Sequence, residues 1–204
     1  HGDVRNSEIV NELVSRSQYV VHFAAETHVA RSIFDNKVFF ETDVMGTQVV
    51  CNAIVKNNGK IKKFLHISTS EVYGSALNGA MTEDHPLLPR SPYAGAKAGA
   101  DRLVYSYWKT YEIPAVIVRP FNNYGPHQHL EKVIPRFITS ALLNEPLTVH
   151  GDGSASRDWI YVLNHCKALD MILHNDDERL LGNAINIGTG VDVSVKAIAE
   201  MILK

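Results

Sequence analysis

Two kinds of apolar pattern alternate along the chain, one with the period of a helix and one with the unbroken run of a buried strand. In residues 6–16, Ile9, Val10, Leu13 and Val14 form one stripe, which predicts a helix capped by Asn6 or Ser7. Residues 19–25, Tyr-Val-Val-His-Phe-Ala-Ala, are nearly continuous in apolarity, the mark of a strand covered on both faces in a parallel sheet. Residues 35–58 return to helical spacing and stop near Gly59. A strand at 64–68, a long helix at 92–111 and a third buried strand at 115–118, closed by Arg119 and Pro120, follow. Residues 1–4 read as the end of a strand. Past Pro126 the pattern predicts a helix at 131–144, a short strand at 147–150 and a loop at 152–156. A helix at 162–174, a strand at 184–187 running into Gly188-Thr189-Gly190, and a last helix capped by Ser194 complete it.

Strands separated by helix-length segments predict βαβ units. The fold class is therefore α/β: a partial Rossmann-like, doubly wound parallel sheet with part of a smaller α/β substrate-binding region. The expected division is at 121/122, with 184–190 returning to the main sheet. Ligands of such sheets gather at the carboxyl ends of strands. Thr69-Ser70-Glu71 and Asn122-Asn123-Tyr124-Gly125 both fall at such ends.

The first of these ends carries candidate chemistry. Ser68-Thr69-Ser70-Glu71-Val72-Tyr73-Gly74 follows a strand, residues 81–90 form a polar loop, and Tyr93 and Lys97 stand one turn apart on the next helix. Residues at i and i+4 share a helix face. An ammonium beside a phenol is expected to lower the phenol pKa and suit it to proton transfer, with a strand-end hydroxyl orienting the same substrate oxygen. On spacing alone such a pair is an ordinary surface contact; the ordered combination of strand end, loop and helix is what singles it out.

Composition narrows the field. The chain has 204 residues and a net charge of -2, without a Lys/Arg cluster, so neither a nucleic-acid nor a membrane partner is expected. Cys51 and Cys166 lack metal-ligand spacing and read as buried free thiols of a reducing compartment. Ten histidines are scattered, with no HExxH and no paired set, so no metal is expected. No apolar run reaches membrane-spanning length, and a cytoplasmic location is expected. A dinucleotide fold needs a Gly-rich first turn, and none is visible.

These motifs resemble the extended short-chain dehydrogenase/reductase family, in its nucleotide-sugar epimerase/dehydratase branch. The segments His22–Ile33, Asn122–Pro135 and Arg157–Val162 resemble the dTDP-glucose 4,6-dehydratases within it. The resemblance covers nearly the whole chain and makes it look like the middle of a longer enzyme, without the family's first two strands, most of the third and its carboxyl end. It implies NAD as cofactor, a dTDP- or UDP-hexose as substrate, and a homodimer formed through residues 35–58 and 92–111. Cofactor contacts carried over by position are Asp3 and Val4 at the adenine, Phe23, Ala24, Ala25, Glu26 and Thr27 along the channel, Thr42, Tyr93 and Lys97 at the nicotinamide ribose, and Asn123 nearby. Substrate contacts carried over are Thr27, Thr69, Asn122, Lys132, Val133, Thr148, Val149, His150 and Arg157. Arg157 suits a diphosphate. The alternatives are that Arg157 pairs with Asp152 or Asp158, that Asn122 caps a turn, and that Val133 is core.

The implied catalytic set is Thr69, Ser70, Glu71, Tyr93 and Lys97. Tyr93 takes the proton of the sugar 4-hydroxyl, Glu71 removes the C5 proton, and water leaves C6. One departure bears on the outcome: typical dTDP-glucose 4,6-dehydratases carry an Asp acid where this chain has Ser70, and Thr-Ser-Glu is the pattern of other members, UDP-glucuronate decarboxylases and some UDP-N-acetylhexosamine 4,6-dehydratases. A decarboxylase or a 4-epimerase of the same family is the alternative. Another class is a noncatalytic fragment, whose raw sheet edge at residues 19–25 would invite a partner chain. Ala30 and Asn164 also depart from acidic residues of many relatives.

Overall fold

The computed structural model describes residues 1–204 apart from Asn78 and His150, and it divides into two units: residues 1–120 with 170–186, and residues 121–169 with 187–204. The first unit opens with α1 (Ser7–Ser15), whose Asn6 side chain accepts from the backbone N–H of Glu8 and Ile9. β1 (Tyr19–His22) follows, then a short α2 (Val29–Phe34). A long helical segment runs through α3 (Lys37–Phe39), a π-turn over Phe40–Met45 and α4 (Gly46–Lys56). β2 (Lys63–Ile67), a 3₁₀ turn (Ser70–Tyr73), α5 (Pro92–Tyr111) and β3 (Ala115–Pro120) complete the run. β1, β2 and β3 pair in parallel, and β6 (Ala184–Ile187) lies beside β3.

The helices at 7–15 and 92–111 and the strands at 64–67 and 184–187 follow the sequence pattern closely. Four expectations fail. Residues 1–4 carry no strand; Asp3 turns back to pair with Arg5 at 2.7 Å. The run 19–25 is strand only to His22 and is half-buried, because β1 is the edge of the sheet. Residues 147–149 form no strand, and the 150 position of that expectation lies outside the described residues. Cys51 is buried, but Cys166 points outward from its helix and is exposed.

The core of this unit lies between the sheet and α1, α4 and α5, and includes Val14, Cys51, Ile54, Phe64, Val104, Ile113 and Ile117. Gly182, at φ +76°, sits where a Cβ would lie 2.2 Å from the Trp108 ring, so only glycine fits there. Within the core is a fastened charge pair. Arg119 on β3 binds Asp101 on α5 through Nε (2.8 Å) and Nη2 (2.9 Å), and its Nη1 donates to the Tyr73 hydroxyl at 2.9 Å. The Tyr73 hydroxyl donates to Asn186 Oδ1 at 2.8 Å, and the Asn186 N–H donates to Glu83 at 2.8 Å. One chain of bonds thus joins α5, β3, the 3₁₀ turn, the 81–90 loop and β6.

The second unit is smaller. β4 (Asn122–Tyr124) pairs in parallel with β5 (Ser156–Tyr161), which pairs antiparallel with β7 (Asp192–Ser194). α6 (Val133–Leu142) begins two residues later than the pattern predicts; α7 (Val162–Leu173) begins in this unit, and α8 (Val195–Ile202) is capped by Ser194. The three strands went unread because, unlike those of the main sheet, they are rich in polar residues and form no continuous apolar run. Buried Asp158 accepts from the backbone of Thr189 and Gly190 and from the Thr189 hydroxyl, which closes the Gly188-Thr189-Gly190 turn.

Replacing Asp101 with Asn strands Arg119 as an uncompensated buried charge. Urea denaturation of Asp101→Asn is expected to show a loss of about 3–5 kcal/mol.

Candidate active site

The site of the first unit is built where β2 ends. The Ile67 carbonyl, the last of the strand, accepts a hydrogen bond from Lys97 Nζ at 2.7 Å. Lys97 is 4% exposed, so its ammonium is held inside the protein rather than on its surface. One turn earlier on α5, Tyr93 is also buried, with its ring edge-on to Phe39 at 6.3 Å between centroids. The start of α5 is fixed twice: Ser91 Oγ accepts from the Ala94 N–H at 3.1 Å, and Ser32 Oγ from α2 accepts from the Tyr93 N–H at 3.2 Å. Pro92 fits the first turn because its missing N–H has no helical partner to lose.

From the strand side, Thr69 ends the extended backbone and caps the 3₁₀ turn, its Oγ1 accepting from the Glu71 N–H at 3.2 Å. The Thr69 hydroxyl acts on the Tyr93 phenol, favouring its ionised form. Ser70 is buried in the same turn, and Glu71 is half-buried beside it. Gly74 closes the turn at φ +74°, where a Cβ would strike the Leu88 carbonyl at 2.1 Å. The five residues proposed from sequence as catalytic are therefore gathered at one strand end.

Their electrostatics reverse one expectation. The Tyr93 phenol is not made more acidic: burial raises its pKa above the ordinary value, the Thr69 hydrogen bond opposes this, and the charges of Asp43 and Glu71 add to the rise. Lys97 is lowered by burial, with Asp43 and Asp101 opposing. Desolvation of both partners outweighs their i,i+4 proximity.

Three groups here were not read from the sequence. Asp43 lies in the π-turn, buried, with Oδ1 accepting from the Glu26 N–H at 2.7 Å; burial pushes its carboxyl up to about 6. His22 and His66, thought scattered, are cross-strand neighbours on β1 and β2 with ring centroids 5.5 Å apart. Thr47 spends its hydroxyl hydrogen on the Asp43 carbonyl, so it accepts from His22 Nε2–H at 3.0 Å, which fixes the tautomer of His22. Burial lowers His22 to about 4 and takes His66 well below the usual histidine value. The pairing is a matter of strand register, which spacing in the sequence does not display; an acid at position 43, in the buried stripe of Phe39, Thr47 and Val50, is the signal that was available.

The carried-over cofactor residues are spread along the same unit. Phe23 and Ala24 are exposed just beyond the end of β1, and Ala25 and Glu26 are half-buried. Thr27 is exposed, and Thr42 is half-buried in the π-turn. Asp3 is exposed and held by Arg5, whose hydrogen bonds lower its carboxyl to about 2, while Val4 packs against Gly46. The remaining candidates belong to the second unit. Asn123 is engaged internally: Nδ2 donates to the Phe121 carbonyl, and Oδ1 accepts from His165 Nδ1 at 2.8 Å. Asn122 sits on β4, not in a capped turn, opposite Trp159 of β5. Arg157, also on β5, is exposed and donates to the Ser156 carbonyl; Asp152 is occupied by Ser154 and Asp158 by the Thr189 turn, so neither alternative ion pair forms. Lys132 immediately precedes α6, Val133 opens that helix half-buried, Thr148 is exposed and Val149 half-buried; His150 lies outside the described residues. Among the described residues no cluster of three or more His, Cys, Asp or Glu could hold a metal, and no helix is long and apolar enough to cross a membrane.

Comparison with known proteins sets this geometry in context. The family model described as GDP-mannose 4,6 dehydratase matches residues 1–204. The low-salt glycan biosynthesis protein Agl12 of Haloferax volcanii is 48% identical over 203 residues, covering 100% of this chain and 64% of that protein. The solved structure of DesIV, a dTDP-glucose 4,6-dehydratase from Streptomyces venezuelae with NAD bound, superposes with a TM-score of 0.93 at 39% identity, over 100% of this chain and 62% of that one. The UDP-glucuronic acid 4-epimerase of Bacillus cereus, solved with UDP-glucuronic acid and NAD, gives 0.92 at 34% identity, over 98% and 63%. The chain thus spans about three-fifths of the length of these relatives.

The neutral His22 has a pH consequence. Its folded pKa of about 4 lies below the ordinary 6.5, so the unfolded chain binds the extra proton. The stability concerned is complete above 6.5 and is lost as pH falls towards 4, about 2 kcal/mol of it by pH 5. The raised carboxyl of Asp43 acts in the opposite direction, so the readout is a difference: urea midpoints of His22→Gln are expected to fall less steeply than those of the parent between pH 7 and pH 5.

Proposed function

The chain belongs to the GDP-mannose 4,6-dehydratase family, within the extended short-chain dehydrogenase/reductases that act on nucleotide sugars, and on that premise we propose that it forms the catalytic portion of an NAD-dependent nucleotide-sugar 4,6-dehydratase of the dTDP-glucose type. The observation that carries the reading is the strand-end cluster, in which Lys97 is anchored on the Ile67 carbonyl, Thr69 accepts from the Glu71 N–H, and buried Tyr93 stands one helical turn before Lys97. The residues suit NAD. Lys97 has three donor hydrogens and one is given to Ile67, which leaves donors for ribose hydroxyls; Phe23 and Ala24 offer an exposed apolar surface beyond the end of β1. Asp3, Val4, Ala25, Glu26, Thr27, Thr42 and Asn123 complete the proposed cofactor set. When bound, NAD supplies the acceptor for the sugar C4 hydride and its return to C6.

The chain's own residues do the proton work. Tyr93 takes the proton of the 4-hydroxyl, and Thr69 holds that oxygen in line. Lys97 supplies the positive charge that the buried phenolate requires, since burial alone opposes its formation. Glu71 removes the C5 proton once C4 is a ketone, because the carbonyl delocalises the resulting charge. Ser70 lies beside Glu71 and is proposed to hold or relay the proton that accompanies the leaving C6 hydroxyl. Asn122, Lys132, Val133, Thr148, Val149, His150 and Arg157 are proposed to bind the nucleotide sugar, with Arg157 on the diphosphate. A cytoplasmic homodimer using α4 and α5 belongs to the same proposal.

A second reading rests on Ser70. With no carboxylic acid at that position, C4 oxidation would lead to decarboxylation of a UDP-glucuronate or to 4-epimerisation. Product mass separates these outcomes. The protein at its natural length, given NAD and dTDP-glucose, is expected to release a product lighter by one water. Loss of carbon dioxide from UDP-glucuronate, or turnover without change of mass, would replace the dehydratase reading, and absence of both NAD binding and turnover would make the protein a noncatalytic relative. Tyr93→Phe is expected to lower kcat by about 10²–10⁴-fold, and Ser70→Asp to raise the rate of water loss by about tenfold or more, both measured by coupled mass spectrometry.

A further inference from the structure

The side-chain amide of Asn123 has one end that accepts and one that donates, and its surroundings in the second unit settle which end is which. Its Nδ2 lies 3.2 Å from the Phe121 carbonyl, and a main-chain carbonyl can only accept. Nδ2 therefore donates there, and Oδ1 is the atom that faces His165 Nδ1 on α7 at 2.8 Å. An amide oxygen only accepts, so the hydrogen of the His165 ring sits on Nδ1. The other ring nitrogen, Nε2, is buried without a hydrogen-bond partner among the described residues, and burial lowers the pKa of the ring, which keeps Nε2 bare. His165 is 5% exposed, so water competes little for its one bond. The backbone of Asn123 is held as well. It pairs with Ile160 of β5, and its carbonyl accepts from Gln128 Nε2 at 2.8 Å. His127, at φ +63°, lies in the turn that brings Gln128 back to that carbonyl. Asn123 itself is half-buried, and its Nδ2 keeps a second hydrogen that no bond among the described residues uses.

We propose that His165 is a positioning residue for ligand binding: its Nδ1–H holds the Asn123 amide with Oδ1 turned inward, so that Asn123 offers its second Nδ2 hydrogen to a ligand oxygen. His165 itself touches no ligand. The reversed amide would set Nδ2–H against Nδ1–H and Oδ1 against the Phe121 carbonyl. Two donors and two acceptors would then meet, and each would lose its partner. Replacing the ring by an apolar side chain removes that constraint and leaves Oδ1 unpaired. The inference rests on the proposed cofactor set, which includes Asn123, and gives that contact a polarity. The NAD atom that meets this side chain is an oxygen that accepts, not a group that donates.

The test uses the protein at its natural length. In nitrogen-15 spectra of the histidine rings, the His165 signals, identified by their loss in His165→Asn, are expected to show the hydrogen on Nδ1. A hydrogen on Nε2 overturns the proposal. Calorimetry with NAD is the second readout. His165→Leu is expected to weaken NAD binding about tenfold, the worth of one hydrogen bond. Asn123→Asp, which puts an acceptor in the place of Nδ2, is expected to weaken it at least as much. His165→Asn carries an amide hydrogen close to the place of Nδ1–H and is expected to stay within about threefold of the parent. His165→Gln reaches one bond further, towards the place of Nε2, and is expected to behave like His165→Leu. Unchanged binding in His165→Leu overturns the proposal, as do equal losses in the Leu and Asn variants, the mark of packing alone. If His165→Leu fails to fold, the Asn and Gln variants decide by the same rule. A parent that binds no NAD sinks the cofactor reading and this inference with it; a parent that binds NAD while the His165 variants do not separate overturns this inference alone.

Discussion

The buried pair of Arg119 and Asp101 is the constraint on which the first unit turns. Two charges inside a core are tolerated only when geometry is good and the remaining donors are used, and here the guanidinium is bound bidentately and gives its third bond to Tyr73. The pair fixes α5 against β3. Because Tyr73 belongs to the turn that leaves β2, the same bonds fix the strand end against α5. Tyr93 and Lys97 ride on that helix, Thr69 and Glu71 on that turn. The relation between helix and strand end that any proton transfer would need is therefore set from behind, by a charge pair that touches no ligand.

In front of that anchor the site is under electrostatic tension. A phenol, an ammonium, a carboxyl and two imidazoles are all buried within a few elements, and burial favours the neutral form of each. The groups partly relieve one another: Asp43 supports the charge of Lys97, and Thr69 supports the phenolate of Tyr93. What remains unrelieved is a deprotonated Tyr93. Under the proposed function, an oxidised cofactor ring with positive charge would favour the phenolate when bound.

The family relation and the proposed activity rest on different supports. The match runs the full length of this chain, and the fold superposes on a dehydratase and on an epimerase almost equally well. Fold and family therefore support membership of a nucleotide-sugar dehydratase and epimerase family better than they choose between its reactions. In the proposed mechanism the step after C4 oxidation falls to individual side chains, above all Ser70 and Glu71, rather than to the shared backbone.

Much of the architecture could be read from the sequence, because the main-sheet strands are continuous apolar runs and helices begin at capping residues such as Asn6 and Ser194. The strand-end residues and the Tyr93–Lys97 spacing were legible for the same reason: they are local, within one loop or one helical turn. The short strands β4, β5 and β7 were not, since they are rich in polar residues and carry no continuous apolar run. Nor were the His22–His66 pair, the Arg119–Asp101 bond or the burial of Asp43, all of which join positions 17 or more residues apart, or depend on which face of an element the core covers. The sequence determined which groups the site possesses. Only the tertiary structure decided their charge, because a pKa responds to the solvent and partners around a group rather than to its neighbours in the chain.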